Sequence, residues 1–259
     1  MTKQHIHWLS RALIVLFAGG GIVSLFVVPT NPVWWTVDVL LRSYVMFLCT
    51  VLAHEAAHGQ LGRTKSANLW WGRVALLLPM VPALNFRKTH RLHHAHTNVP
   101  DQDPDYWVKP KRFWEMPLRA VALPHYWLLW LWRKNKVSRA ELVEIALWYV
   151  AMFTIYGAVY FVAGPTRLVL GMVPALLIVS LFLWYPFAVK THEGFSTGAP
   201  ETRSHDYYGV GVYWLTLGLS MHRAHHLHPS KSWVELRPYV RAAPLPWWRR
   251  MLFPRDIRV

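Results

Sequence analysis

Four long apolar runs dominate the pattern of hydrophobic and polar positions: residues 9–28, 34–53, 142–162 and 168–189. None alternates with the period of two that marks a half-buried strand. A bilayer core ~30 Å thick needs about 20 mostly apolar residues in a helix. The pattern therefore predicts an all-α membrane protein with four transmembrane helices. Two runs also carry charge, Asp38 and Arg42 in the second and Glu144 near the start of the third. The connections at 29–33 and 163–167 are very short, so the spans pair into two hairpins. Between the hairpins lie two weaker stretches, 69–86, interrupted by Pro79 and Pro82, and 113–132. They read as interfacial or re-entrant helices. The first run reads as a retained helix, because it extends well past Arg11 and no small-residue cleavage site stands out. The expected organisation is one integral-membrane domain over residues 1–259.

Charge then orients the molecule. Two hairpins put the N-terminus, residues 54–141 and residues 190–259 on the same side. Of the 28 Lys and Arg residues, 26 fall on that side, the exceptions being Arg42 and Arg167. Lys and Arg are retained in the cytoplasm, so both termini and the central segment are expected there. The net charge of +15 thus has a membrane explanation, and no nucleic-acid partner is expected. A content of 54% hydrophobic residues excludes a disordered chain. Cys49, the one cysteine, excludes a disulfide framework, a cysteine zinc ribbon and an iron–sulfur cluster. Gly19, Gly20 and Gly21 lie inside the first apolar run and read as packing glycines, not a nucleotide loop.

The histidines change the picture. Thirteen of the 15 lie from His54 onward, all on the expected cytoplasmic side. They form three boxes: His54 and His58; His90, His93 and His94; and His222, His225 and His226. Residues i, i+3 and i+4 share a helix face, so each box can direct its rings toward a common point. Neutral imidazole is a good ligand for iron, zinc and copper. A catalytic zinc takes about three protein ligands, so eight converging histidines imply two metals. The first box also reads HExxH, the zinc-protease signature with Glu55 as base, but that leaves the other six histidines unexplained.

Together the boxes resemble those of the membrane fatty acid desaturase superfamily, which includes acyl desaturases, lipid hydroxylases and carotenoid ketolases and hydroxylases. His90 to Asn98 with the following Asp101, Asp103, Pro104 and Asp105 resembles the second box and its acidic continuation. His225 to Ser230, with Trp233, resembles the third. The resemblance covers roughly residues 40–240. It implies two non-haem iron ions that activate O2 to attack an unactivated C–H bond of a lipid. Acyl-chain desaturation is the first expectation, with lipid or carotenoid hydroxylation or ketolation as the alternative.

Family members typically have one further ligand between the last span and the third box. His192 best matches that place and His205 is its rival, because the chain has His-Glu-Gly where many acyl desaturases have Glu-His-Gly. His96 and His228 read as lying outside the ligand set. Glu55, Glu193, Asp103, Asp105 and Asp206 are the carboxylates near the boxes, and one or two are expected to orient ligand imidazoles. No fused electron carrier is visible, so reducing equivalents are expected from ferredoxin, rubredoxin or cytochrome b5. Lys109, Lys111, Arg112, Arg133, Lys134 and Lys136 form a basic face that suits an acidic carrier or anionic lipid. Trp34, Trp35, Trp70, Trp71, Trp127, Trp130 and Trp132 read as interfacial anchors, the alternative being the wall of a tunnel for an apolar chain.

Overall fold

The computed structural model describes residues 2–109, 112–195, 197, 203–207 and 209–240. Lys111 and the basic residues after 240 lie outside the described residues. Nine helices organise the rest: α1 (Lys3–Val27), α2 (Pro32–Ala57), α3 (Lys65–Leu76), α4 (Ala83–His96), α5 (Met116–Arg133), α6 (Arg139–Ala163), α7 (Pro165–His192), α8 (Val210–Leu215) and α9 (His222–Leu227). There is no strand among the described residues. Helices α1, α2, α6 and α7 are long and apolar enough to cross a membrane. They correspond to the four apolar runs, extended at their ends by polar residues that the hydrophobic pattern does not reach.

The extensions follow from caps. Thr2 accepts the His5 N–H at the start of α1, and Asn31 accepts from Val33 and Trp34 ahead of Pro32. Ser138 and Glu141 form a reciprocal capping box at the start of α6. Gly164 alone separates α6 from α7, with φ of 90°, a conformation that excludes most side chains. The stretch 69–86 divides at its prolines: α3 ends at Leu76, and α4 begins after Pro82.

The charges inside the apolar runs have partners. Arg42, almost completely buried, bonds Asp38 at 2.5 Å, the Gly21 carbonyl at 3.1 Å and Ser24 Oγ at 2.7 Å. This tie joins α1 to α2. Glu144 pairs with Arg73 of α3, and Glu141 with Lys88 of α4 at 2.6 Å. Of the three consecutive glycines only Gly21 is a packing glycine. A Cβ there would collide with Leu78, whereas Gly19 and Gly20 have open space around them.

Helices α3 and α4 pack on α2, and α5 packs on α4 and α7, while the histidines of α9 meet those of α2, α4 and α7. The tryptophans divide. Trp34, Trp70 and Trp132 are exposed, as anchoring requires, but Trp127 and Trp130 are buried. Trp127 turns inward because its Nε1–H donates to Asp105 at 2.7 Å and its ring packs on Phe86.

Candidate metal centre

The nine candidate histidines converge into two groups. Ring nitrogens of His54, His58, His90, His94 and His225 lie within 4.8 Å of one another, and so do those of His93, His192, His222 and His226. We denote these cluster A and cluster B. Helix geometry explains the membership. His54 and His58 stand one turn apart at the end of α2 and both reach cluster A.

The second and third boxes do not each aim at a single point, contrary to the sequence expectation; each divides between the clusters. On α4, His90 and His94 turn to cluster A while His93 turns to cluster B. On α9 the division is reversed, with His222 and His226 in cluster B and His225 in cluster A. At about 100° per residue, positions i and i+4 stay within roughly 40°, whereas i+3 and i+4 are about 100° apart. An HxxHH box is therefore built to serve two centres at once.

Cluster B has its fourth nitrogen from His192, the last residue of α7. Its Nε2 lies 3.1 Å from His93 Nε2 and 2.8 Å from His222 Nε2. His205 is buried between the Phe195 and Tyr207 rings and joins neither cluster. Glu193 faces outward and pairs with Lys190 at 3.0 Å. His96 and His228 also stand outside the clusters, His228 against the Tyr239 ring.

Hydrogen bonds aim the rings. His93 Nδ1 lies 3.0 Å from Asp103 Oδ1, and His192 Nδ1 2.9 Å from the Arg203 carbonyl. Neither oxygen can donate, so each ring places its N–H on Nδ1 and presents Nε2 to cluster B. Asp103 is itself held by the backbone N–H groups of Asn98 (2.8 Å) and Asp105 (2.9 Å). Asp206 accepts the Ala224 N–H at 3.2 Å and so fixes α9.

Glu55 is not a free base, although its Oε1 lies 4.0 Å from His54 Nδ1. Its Oε2 accepts the Trp233 N–H at 2.9 Å, which ties the segment after α9 to the end of α2. The Trp233 ring extends the tie through its Nε1–H to Ser10 Oγ at 3.1 Å.

Electrostatics favour neutral rings. Burial, helped by Arg91, pulls the His58 pKa to about 3. Burial first, and neighbouring imidazoles second, hold His90, His94, His222, His225 and His226 well below the ordinary range. His93 is the exception: burial opposes its protonation, but the Asp103 and Asp105 carboxylates overcome it and raise the pKa. His54 Nε2 is buried with no hydrogen-bond partner among the described residues. Converging neutral nitrogens, one of them orphaned, form the kind of donor set that one transition-metal cation per cluster satisfies.

Beside cluster A lies a mostly apolar cavity of about 260 Å³. Phe86 forms part of its wall and also stacks on His90, with centroids 5.5 Å apart and planes at 10°. Trp127 and Trp184 flank the same ring. No periodicity identifies this cavity, because Thr50, Phe86, Trp127, Tyr149 and Trp184 come from five helices. The basic face is smaller than the sequence suggests. Arg112, Arg133, Lys134 and Lys136 are exposed, but Lys109 turns in to donate to Asn98 Oδ1 at 2.9 Å.

Comparison with known proteins places these features. The fatty acid desaturase family profile matches residues 29–245. The sn-1 acyl-lipid omega-3 desaturase (ferredoxin) of Synechocystis sp. is 29% identical over 96 residues, 37% of this chain and 26% of that protein. Omega-3 fatty acid desaturase fat-1 of Caenorhabditis elegans is 29% identical over 84 residues, 32% of this chain and 20% of that protein. The matched segments thus span about a quarter and a fifth of those relatives. No solved structure matches. With the profile covering most of its length, and with four helices long and apolar enough to cross a membrane, the chain belongs to the fatty acid desaturase family of membrane proteins.

Proposed function

We propose that this protein is an O2-dependent di-iron oxidase that desaturates a fatty acyl chain. The observation that carries the reading is the division of nine histidines into two adjoining clusters, five and four, beside an apolar cavity. His54, His58, His90, His94 and His225 would hold one iron, and His93, His192, His222 and His226 the other. His192, not His205, is the ninth ligand in this reading. The iron pair, when bound, supplies the reduction of O2 and the oxidising power for C–H cleavage.

The chain's own residues supply position. Asp103 and the Arg203 carbonyl hold His93 and His192 in the tautomer that leaves Nε2 to the metal. The apolar cavity receives part of the acyl chain and excludes water, with Phe86 separating it from His90. Holding the reacting C–H bond in a fixed geometry is a large part of the rate such a site can provide.

The whole chain acts as one membrane domain, with two hairpins carrying a helical cap. Both termini and the clusters lie on the cytoplasmic side, as the distribution of Lys and Arg supports. Electrons come from a separate carrier, ferredoxin, rubredoxin or cytochrome b5, and the name of the Synechocystis relative favours ferredoxin. Exposed Arg112, Arg133, Lys134 and Lys136 would guide an acidic carrier. Hydroxylation or ketolation of a carotenoid or other lipid is the second reading, since the same clusters suit it.

Expression in a host lacking the activity, followed by mass spectrometry of total lipids and pigments, tests the proposal. A product lacking two hydrogens supports desaturation. Gain of one oxygen indicates hydroxylation, and gain of an oxygen with loss of two hydrogens indicates ketone formation. Purified protein that carries one zinc and no iron, and that needs Glu55 but not His93, would instead be a protease.

A further inference from the structure

The cavity wall is apolar except at a few places, and these are not equivalent. The Thr50 hydroxyl donates to the Met46 carbonyl of its own helix at 2.8 Å and is thereby spent. Ser180 lies on α7. At the rim, His125 of α5 and Tyr149 of α6 meet across the opening, with His125 Nδ1 2.8 Å from the Tyr149 hydroxyl. Both line the cavity, yet His125 is exposed and Tyr149 half-buried, so the pair faces outward as well as in.

Two features make this pair unusual. First, its depth is wrong for a surface pair. Tyr149 lies about 10 Å along α6 from Leu142, the start of its apolar run, at about 1.5 Å per residue, which is inside a ~30 Å hydrocarbon core though not at its middle. Lipid offers no hydrogen-bond partner at that depth. Second, the pair retains a donor whichever way its proton lies. If the hydroxyl donates to Nδ1, the imidazole keeps its Nε2–H; if Nδ1–H donates, the phenol keeps its O–H. His125 Nε2 has no partner among the described residues. Partial burial against the cavity lowers the His125 pKa, which favours the neutral ring, and an uncharged donor suits an uncharged acceptor. An unmet donor in an apolar setting is costly, whereas a ligand oxygen that meets it gains both affinity and register.

We propose that the His125–Tyr149 pair binds a neutral oxygen, hydroxyl or carbonyl, carried on the hydrocarbon chain of the lipid substrate. The pair thereby fixes how far that chain reaches past Phe86 toward the histidine clusters. This inference rests on the assignment of the cavity to the lipid chain made above, and it narrows the substrate class to oxygen-bearing chains.

The test uses the full-length, iron-loaded protein purified in detergent. The probes are radiolabelled octadecanoate and a series of octadecanoates each hydroxylated at one position along the chain. At one or a few positions the hydroxylated probe should bind about three- to tenfold tighter than octadecanoate, the worth of one hydrogen bond. Tyr149→Phe keeps the ring and its packing, and His125→Phe keeps comparable bulk. Each should bring that ratio close to one, the affinity for octadecanoate in the same variant serving as its own reference. A ratio of one at every position in the unsubstituted protein overturns the proposal, and so does a preference that survives both substitutions. Failure to bind any probe overturns it together with the assignment of the cavity. Iron content and lipid products of the unsubstituted protein, measured separately, then decide whether the desaturase reading itself stands.

Discussion

Two buried polar islands interrupt the apolar bundle, and they are built on opposite principles. Around Arg42, both terminal nitrogens meet an oxygen: Asp38, Ser24 Oγ or the Gly21 carbonyl. Donors and acceptors there are nearly matched, Arg42 Nε alone of the guanidinium nitrogens lacking a partner among the described residues. In the histidine island nine rings present nitrogens to one another, and burial keeps most of them neutral. His93 and His192 have outward partners in Asp103 and the Arg203 carbonyl, but His54 Nε2, His222 Nδ1 and His225 Nδ1 meet none among the described residues. Burial of polar groups is thus common to structure and function, and the imbalance between donors and acceptors separates them.

The sharpest way to break that contrast is to remove a ligand. His225→Ala or His93→Ala should abolish product formation and lower iron per chain, measured by elemental analysis, without unfolding the bundle. Retained activity in either would sink the cluster assignment. Cluster B, with four nitrogens, should lose its metal more readily on His192→Ala than cluster A, with five, does on His58→Ala.

Next in size is the Arg42 island. Arg42→Leu leaves Asp38 without its cation and should cost on the order of 3 kcal/mol of stability, read as a lower Tm in detergent. Iron content should be unchanged, and the double variant Asp38→Leu, Arg42→Leu should recover much of the loss. A fall in iron at constant Tm would show that the two islands are coupled.

Smaller still, Asp103→Ala frees the His93 ring to rotate and should weaken metal binding at cluster B by about 10- to 100-fold in a chelator competition. The last comparison expects no effect: His205→Gln should leave iron stoichiometry as it was. Loss of one iron in that variant would restore His205 as the ninth ligand.

These expectations differ in how much of their basis is legible in the sequence. The spans are, because a run of apolar residues long enough to cross a bilayer needs no tertiary information. The histidine boxes are too, since i, i+3 and i+4 spacing is a property of one helix. The sharing of His93 and His225 with the opposite cluster is not, because it depends on how α4 and α9 face each other. Nor is the preference for His192 over His205 as the proposed ninth ligand, which rests on the Arg203 carbonyl aiming His192 and on the packing of His205 between two aromatic rings. Trp127 is the clearest miss. Its place on an amphipathic helix suggests an interfacial anchor, but Asp105 accepts its indole N–H and draws it inside.

Helix α9 carries three of the nine histidines on only six residues. A helix that short has almost no stability in isolation, since ordering its first turn is not offset by enough later hydrogen bonds. Its shape is borrowed from Asp206, from the Glu55–Trp233 tie and, under the proposed function, from two metals that would grip neighbouring faces of it. Under that proposal metal uptake would be the closing stitch of assembly, and withholding iron is expected to loosen α9 before the rest of the bundle.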